Sequence, residues 1–321
     1  MPTITETVFS DIYITPDKKA YIPNKYTENA LMLFEPEDFD KLYDLFENSW
    51  DGINPSYSVV YDGIYYRVER TLTFDGIQYC ARRMPSTVPE FVTLNYPKAL
   101  EKYLLSLKSA SGLILWSGPT GSGKTTAISS LLKNYLNQEG GFAYTIEDPC
   151  EQPLDGVYKA IKGGLGLCKQ TSPAGGDWGA SLKSALRSKP RYIMVGEIRT
   201  PDTASEVLRA ATSGHLVLST IHANNVSDAI SSVVKYAAAG GMSEDLAYDL
   251  FSRGMLGVLH QTLVGTSTKR ASVSFLFANP DTTKGDQVRG IIKGGKLNLG
   301  TSIETQMTRM ARGLPLFSDL S

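Results

Sequence analysis

The chain has 321 residues, 42% of them hydrophobic, and a formal net charge of −1, which predicts about two domains with proper cores and excludes a global electrostatic attraction to nucleic acid or to an anionic membrane. Its three cysteines, Cys80, Cys150 and Cys168, form no CxxC pair, so neither a zinc knuckle nor a disulfide framework is indicated and buried reduced thiols are expected. The opening residues, Met1 to Ser10, carry no signal-peptide pattern and no stretch reaches the length of a membrane span, so a soluble cytoplasmic protein is expected.

Residues 1–94 are rich in Tyr and Asp. Phe39, Leu42, Tyr43 and Phe46 share one face of a helix predicted over Pro36 to Asn48. Alternating segments follow at Tyr57 to Tyr61, Ile64 to Thr71 and Ile77 to Met84, with hairpin turns predicted at Asp62-Gly63 and Asp75-Gly76. The pattern is that of a small α+β domain with an antiparallel sheet. Residues Pro85 to Pro97 carry three prolines and read as the linker. From Lys98 to the C-terminus strands alternate with helices, as in an α/β domain whose parallel sheet is joined by crossover helices.

The apolar run Gly112 to Trp116 ends in Gly118-Pro119-Thr120-Gly121-Ser122-Gly123-Lys124-Thr125-Thr126, which contains a full GxxxxGK[ST] phosphate-binding loop, and a helical pattern follows to Tyr135. Gly118, Gly121 and Gly123 let backbone N–H groups wrap phosphate oxygens, Lys124 supplies a point charge, and the Thr125 hydroxyl is a ligand for Mg²⁺. The following helix adds the favourable end of its dipole. Two later runs end in acid, Phe142 to Ile146 before Glu147-Asp148-Pro149 and Tyr192 to Val195 before Gly196-Glu197-Ile198-Arg199. Ligands bind at the carboxyl ends of the strands in open parallel sheets, so both acidic groups are expected in the crevice of the phosphate loop. His215 and His222 bracket the run Leu216 to Thr220 and fall at its opposite ends, which argues against a shared zinc. Met255 to Leu263 reads as an apolar helix in which His260 packs.

In this order, GPTGSGKTT (118–126), TIEDP (145–149), ALRSKPRYIMVGEIRT (185–200) and TSGHLVLSTIHANN (212–225) resemble the Walker A, Asp, Walker B and His boxes of the secretion-ATPase superfamily. These RecA-like motors drive type II and type IV secretion and type IV pili. YRVER (66–70) and ARRMPS (81–86) resemble the arginine-bearing strands of the family's PAS-like N-terminal domain, and QVRGIIKGGK (287–296) resembles the C-terminal helices of its PilT branch. The resemblance runs from about residue 55 to the C-terminus, while residues 1–50 match in general character alone.

The resemblance implies ATP and Mg²⁺ as ligands, with Glu147 as general base or water-orienting carboxylate, Asp148 assisting it, and Glu197 holding Mg²⁺ directly or through water. Arg67 and Arg82 correspond to the two arginines that reach the nucleotide phosphates, with Arg70 and Arg83 as neighbouring decoys. His222 corresponds to a sensor of the γ-phosphate or the adjoining subunit, and His215 to a similar role. A homohexamer is implied, held to the inner membrane through a platform protein of a pilus or secretion machine, with no specific nucleic acid. The family's tetracysteine zinc module is missing from the sequence, which points to the retraction and type IVB secretion branches. Lys189-Pro190-Arg191 replaces acidic residues before Walker B, and Arg289 is followed by Lys293 where the retraction branch has a second arginine. The alternatives are a nucleic-acid-dependent RecA-like motor, disfavoured for want of a basic aromatic tract, and a nucleotide-dependent scaffold without turnover. A GTPase would need an Asn-Lys-x-Asp box downstream of the loop, whereas the Asn24-Lys25 pair lies upstream.

Overall fold

The computed structural model describes residues 2–24, 26–27, 29–265 and 270–317. The chain divides into two compact units, one formed by Met1–Thr87 with Asp148–Pro153 and the other by Val88–Glu147 with Leu154–Ser321.

In the first unit, β1 (Asp11–Ile14), β2 (Ala20–Pro23), β3 (Leu31–Phe34), α1 (Phe39–Ser49), β4 (Ser56–Tyr61), β5 (Ile64–Thr73) and β6 (Gly76–Arg83) follow in sequence. The strands form one antiparallel sheet in the order β3-β2-β1-β6-β5-β4. Leu42 and Phe46 of α1 are fully buried in the same core as Ile12, Ile14, Tyr66, Val68 and Tyr79. The first three strands are absent from the sequence reading because each is only four residues long, too short for an alternating pattern to stand out. Tyr61 pairs with Ile64 around Asp62-Gly63, whose φ angles of 48° and 76° make the expected primed turn. The second hairpin differs from expectation by one residue. Thr73 pairs with Gly76, so Phe74-Asp75 forms the loop and Gly76 opens the strand.

The second unit begins in the proline-rich stretch read as linker. Val88, Phe91 and Tyr96 are buried in its core, and Lys133 Nζ donates to the Val88 carbonyl at 2.7 Å, so this stretch is packed structure. There follow α2 (Lys98–Ser106), β7 (Gly112–Ser117), α3 (Lys124–Glu139), β8 (Gly141–Ile146), β9 (Gly156–Lys159), β10 (Leu165–Thr171), α4 (Trp178–Arg187) and β11 (Tyr192–Val195). The remainder comprises α5 (Pro201–Ala211), β12 (Leu216–Ile221), α6 (Val226–Ala239), α7 (Glu244–Gly254), β13 (Met255–Val264), β14 (Arg270–Phe277), α8 (Gln287–Lys293) and α9 (Gly300–Ala311).

These strands form one sheet in the order β14-β13-β7-β12-β11-β8-β10-β9, parallel except at the two edge strands. Strands β7, β11 and β12 are buried along their whole length, the mark of a parallel sheet covered on both faces. Leu113, Leu115, Ile193, Val195 and Val217 point into a core shared with α4 to α8, and Ile114, Trp116, Met194 and Leu218 into one shared with α2, α3 and α9. This is the RecA-like α/β fold that the sequence predicts.

Residues Met255 to Leu263 form a strand, contrary to the helix read from sequence. A short, continuous apolar run carries no clear period, and its neighbours decide: a Cβ at Gly257 would overlap the Phe277 ring of β14, so glycine allows the two strands to pair. Of the three cysteines only Cys168 is buried, while Cys80 and Cys150 are partly exposed, contrary to the expectation that all three are buried. Among the described residues no helix is long and apolar enough to cross a membrane.

Candidate nucleotide-binding site

Strand register brings the acidic and glycine-rich segments to one end of the sheet. Ser117 pairs with Ile221, Val195 with Ser219, and Ile146 with Val195, so β7, β12, β11 and β8 end side by side. The residues that follow are Gly118, His222, Gly196-Glu197 and Glu147. The ends are stitched by hydrogen bonds from Gly196 N to Ile146 O at 2.9 Å, Ile198 N to Thr220 O at 2.8 Å and Thr220 Oγ1 to Gly196 O at 2.7 Å. A Cβ at Gly196 would stand 3.2 Å from Glu147 Cγ, so glycine there lets Glu147 sit close against the Walker B turn.

The phosphate loop leaves β7 at Gly118, whose φ of 143° and close approach to the Gln261 carbonyl leave no room for a side chain. It enters α3 through Gly123 in the left-handed region, so backbone N–H groups of the loop and the positive end of a 16-residue helix face one concavity. Lys124 is 7% exposed, and its ammonium donates to the carbonyls of Gly118 and Pro119 at 2.9 Å each, which holds it across the mouth of the loop. Pro119, Thr120 and Gly121 are exposed at the loop crest, Ser122 is buried, and Thr125 and Thr126 are partly exposed in the first turn of α3. Such a cradle matches the phosphates of a nucleotide.

The loop rests on Gln261 of β13, a residue the sequence reading passed over. Gln261 is 3% exposed; its Oε1 accepts from Tyr96 Oη and from Trp116 Nε1 at 3.1 Å, and its Nε2 donates to the Ser122 carbonyl at 2.5 Å. Burial raises the Tyr96 phenol well above its ordinary pKa, so it remains a donor. The available signal was a glutamine in an apolar run, since a buried amide needs partners. Next to it, His260 Nδ1 lies 3.2 Å from Ser117 Oγ. Burial lowers the His260 pKa, opposed in part by the Asp228 charge, with a lesser lowering from the neighbouring Lys124 charge.

Glu147 is 1% exposed, and Gln170 Nε2 of β10 donates to its Oε1 at 2.8 Å. Glu197 is partly exposed, with Arg199 Nε donating to its Oε2 at 2.7 Å and His222 Nε2 at 3.1 Å from its Oε1. His222 thus meets the Walker B carboxylate. The hydroxyl of Thr125 and the carboxylate of Glu197 are hard oxygen ligands of the kind Mg²⁺ takes. Among the described residues no group of three or more His, Cys, Asp and Glu is placed to hold a metal alone.

His215 is not part of this constellation. It precedes β12 at the far end of the sheet, with its Nδ1 2.6 Å from the Pro190 carbonyl. Arg67, Arg82 and Asp148 belong to the other unit. There Arg67 and Arg82 stand directly opposite each other on β5 and β6, both exposed, with Arg82 Nε donating to Asp11 Oδ1 at 2.8 Å. Like charges in direct cross-strand register repel, and the Asp11 carboxylate, opposite Arg82 on β1, offsets part of that repulsion. Arg70 and Arg83 are otherwise engaged: the Arg70 guanidinium lies 3.8 Å over the Trp50 ring, and Arg83 Nη1 donates to the Thr7 carbonyl at 2.8 Å.

Sheet order and loop define a RecA-like P-loop nucleotide-binding protein. The sequence profile of the family described as type II/IV secretion system protein matches residues 69–291, and the chain belongs to that family. It is 31% identical over 242 residues to a twitching motility protein of Neisseria gonorrhoeae, an alignment spanning 74% of this chain and 60% of that one. Identity to the type IV pilus assembly ATPase PilB of Acinetobacter baylyi is 39% over 136 residues, spanning 42% of this chain and 22% of that one. The crystal structure of the pilus retraction motor PilT with bound ADP resembles it with a TM-score of 0.73 at 26% identity, covering 95% of this chain and 87% of that chain.

Proposed function

We propose that the chain is the subunit of a homohexameric motor that hydrolyses ATP with Mg²⁺ and drives an inner-membrane platform protein of a type IV pilus or type IV secretion system, to which it is held peripherally on the cytoplasmic side. The observation that carries this reading is the alignment of a complete phosphate loop with the buried Glu147 and the Walker B Glu197 at one end of a parallel sheet. The loop backbone and Lys124 bind the β- and γ-phosphates, Glu147 orients the attacking water and takes its proton with Asp148 assisting, and His222 senses the γ-phosphate through its contact with Glu197. Thr125 and Glu197 would hold Mg²⁺, which neutralises charge on the transferring phosphoryl group. Arg67 and Arg82 supply guanidinium groups to the phosphates from the first unit, where hydrolysis weakens their hold and changes the relation of the two units.

Phosphate release tests the chemistry. Lys124→Ala should abolish ATP binding or hydrolysis, while Glu147→Gln should keep binding and slow turnover by roughly a hundredfold or more. Light scattering in ATP and Mg²⁺ should give the mass of six chains. A strictly monomeric mass with full, concentration-independent turnover overturns the motor. Turnover that depends on added single-stranded DNA would instead favour a nucleic-acid motor, and binding without turnover a scaffold.

A further inference from the structure

One amide joins the two ends of an excursion of the chain. After Glu147 the chain leaves the nucleotide unit, residues Asp148–Pro153 belong to the other unit, and the chain returns at Leu154. Gln170 lies beside both ends, because β10 runs parallel to β8 with Gln170 opposite Thr145 and Thr171 opposite Ile146. Its Nε2 donates to Glu147 Oε1 at 2.8 Å, while its Oε1 accepts the backbone N–H groups of Leu154 at 3.1 Å and Asp155 at 3.3 Å. These two N–H donors fix which way the amide points: the oxygen must face them, so the NH₂ group must face the carboxylate. The backbone of Gln170 is fixed as well, its N–H donating to Asp155 Oδ1 at 2.9 Å.

We propose that Gln170 is a positioning residue for hydrolysis, one that sets the aim of the Glu147 carboxylate and takes its own orientation from the backbone where the chain returns from the other unit. The inference rests on the reading of Glu147 as the base. A glutamate at 1% exposure depends on its hydrogen-bond donors for a fixed rotamer, and a carboxylate turned by an ångström no longer meets the attacking water. The Gln170 amide thus ties the aim of the base to the backbone at Leu154 and Asp155.

The test uses the full chain and measures kcat, KM for ATP, affinity for a fluorescent ATP analogue, and melting temperature. Gln170→Met, close in size but without the amide, should lower kcat by roughly 10- to 100-fold with KM and analogue affinity within about twofold. Gln170→Glu keeps an acceptor for Leu154 and Asp155 but sets a second carboxylate against Glu147, and should be at least as slow. Combining Gln170→Met with Glu147→Gln should be no slower than Glu147→Gln alone, because both act through one group. Wild-type kcat in Gln170→Glu, or fully multiplicative losses in the double variant, overturns the inference, and so does a loss confined to KM and melting temperature. Near-normal turnover in Glu147→Gln would remove the base itself and this inference with it. An inactive Glu147→Gln beside a fully active Gln170→Met would defeat the inference alone.

Discussion

Gln261 shows how much of a phosphate loop's shape is held from outside the motif. Three hydrogen bonds converge on its amide, two arriving from Tyr96 and Trp116 and one leaving for the Ser122 carbonyl. Gln261→Leu fills the same space but strands a phenol, an indole N–H and a carbonyl in a buried place. Unsatisfied buried groups cost about 1–3 kcal/mol each. Urea unfolding should therefore show a loss of about 3 kcal/mol, accompanied by weaker nucleotide binding, since Ser122 lies within the cradle. Unchanged affinity for a fluorescent ATP analogue would show that the loop keeps its shape without this support. The same reasoning separates the arginines of the first unit, where Arg70 stacks on Trp50 and Arg67 faces outward.

At the scale of elements, Arg289 and Lys293 of α8 look alike in sequence and differ in structure. Arg289 sends its guanidinium to the carbonyls of Ser252 at 2.5 Å and Arg253 at 2.7 Å in the last turn of α7, and to Asn279 O at 3.1 Å. It caps one helix from another, satisfying carbonyls that have no partner within α7. Lys293 makes an exposed ion pair, its Nζ 3.2 Å from Asp249 Oδ1. Arg289→Ala should accordingly cost about 2–3 kcal/mol in denaturant unfolding, and Lys293→Ala under about 0.5 kcal/mol. Equal losses would show that the cap contributes nothing beyond a surface charge. Lys293 thus falls on the solvated side of α8, away from the cap.

For the whole molecule, the proposed stroke requires that nucleotide state change the relation of the two units. A fluorophore placed on each should report different distances in ADP and in a non-hydrolysable ATP analogue, because loss of γ-phosphate contacts shifts the balance between orientations. Arg67→Ala with Arg82→Ala should reduce that difference. Arg70→Ala should leave it and the turnover within about threefold, at a cost in stability of about 1 kcal/mol from the lost stack on Trp50. A distance that is the same in every nucleotide state would leave an ATPase without the stroke.

The phosphate loop, the two acidic strand ends and the α/β alternation were legible in the sequence because each is local: glycine spacing, a buried apolar run, and the residue that ends it all lie within a few positions. The hairpin at Asp62-Gly63 was legible for the same reason. What the sequence left open depends on partners distant along the chain. β13 is a strand because β7 and β14 pair with it, and its own apolar run favours no period. The turn at Phe74-Asp75 is set by the pairing of Thr73 with Gly76. Val88 to Tyr96 is packed structure because its apolar residues find the core beside α3, which proline spacing does not reveal. His215 and His222 flank one strand, and only the direction of that strand places His222 at Glu197 and His215 at the opposite end. Gln170 and Gln261 have no motif at all. Their parts follow from strand order, which sets β10 beside the end of β8 and β13 beneath the phosphate loop, where a buried amide must find its partners.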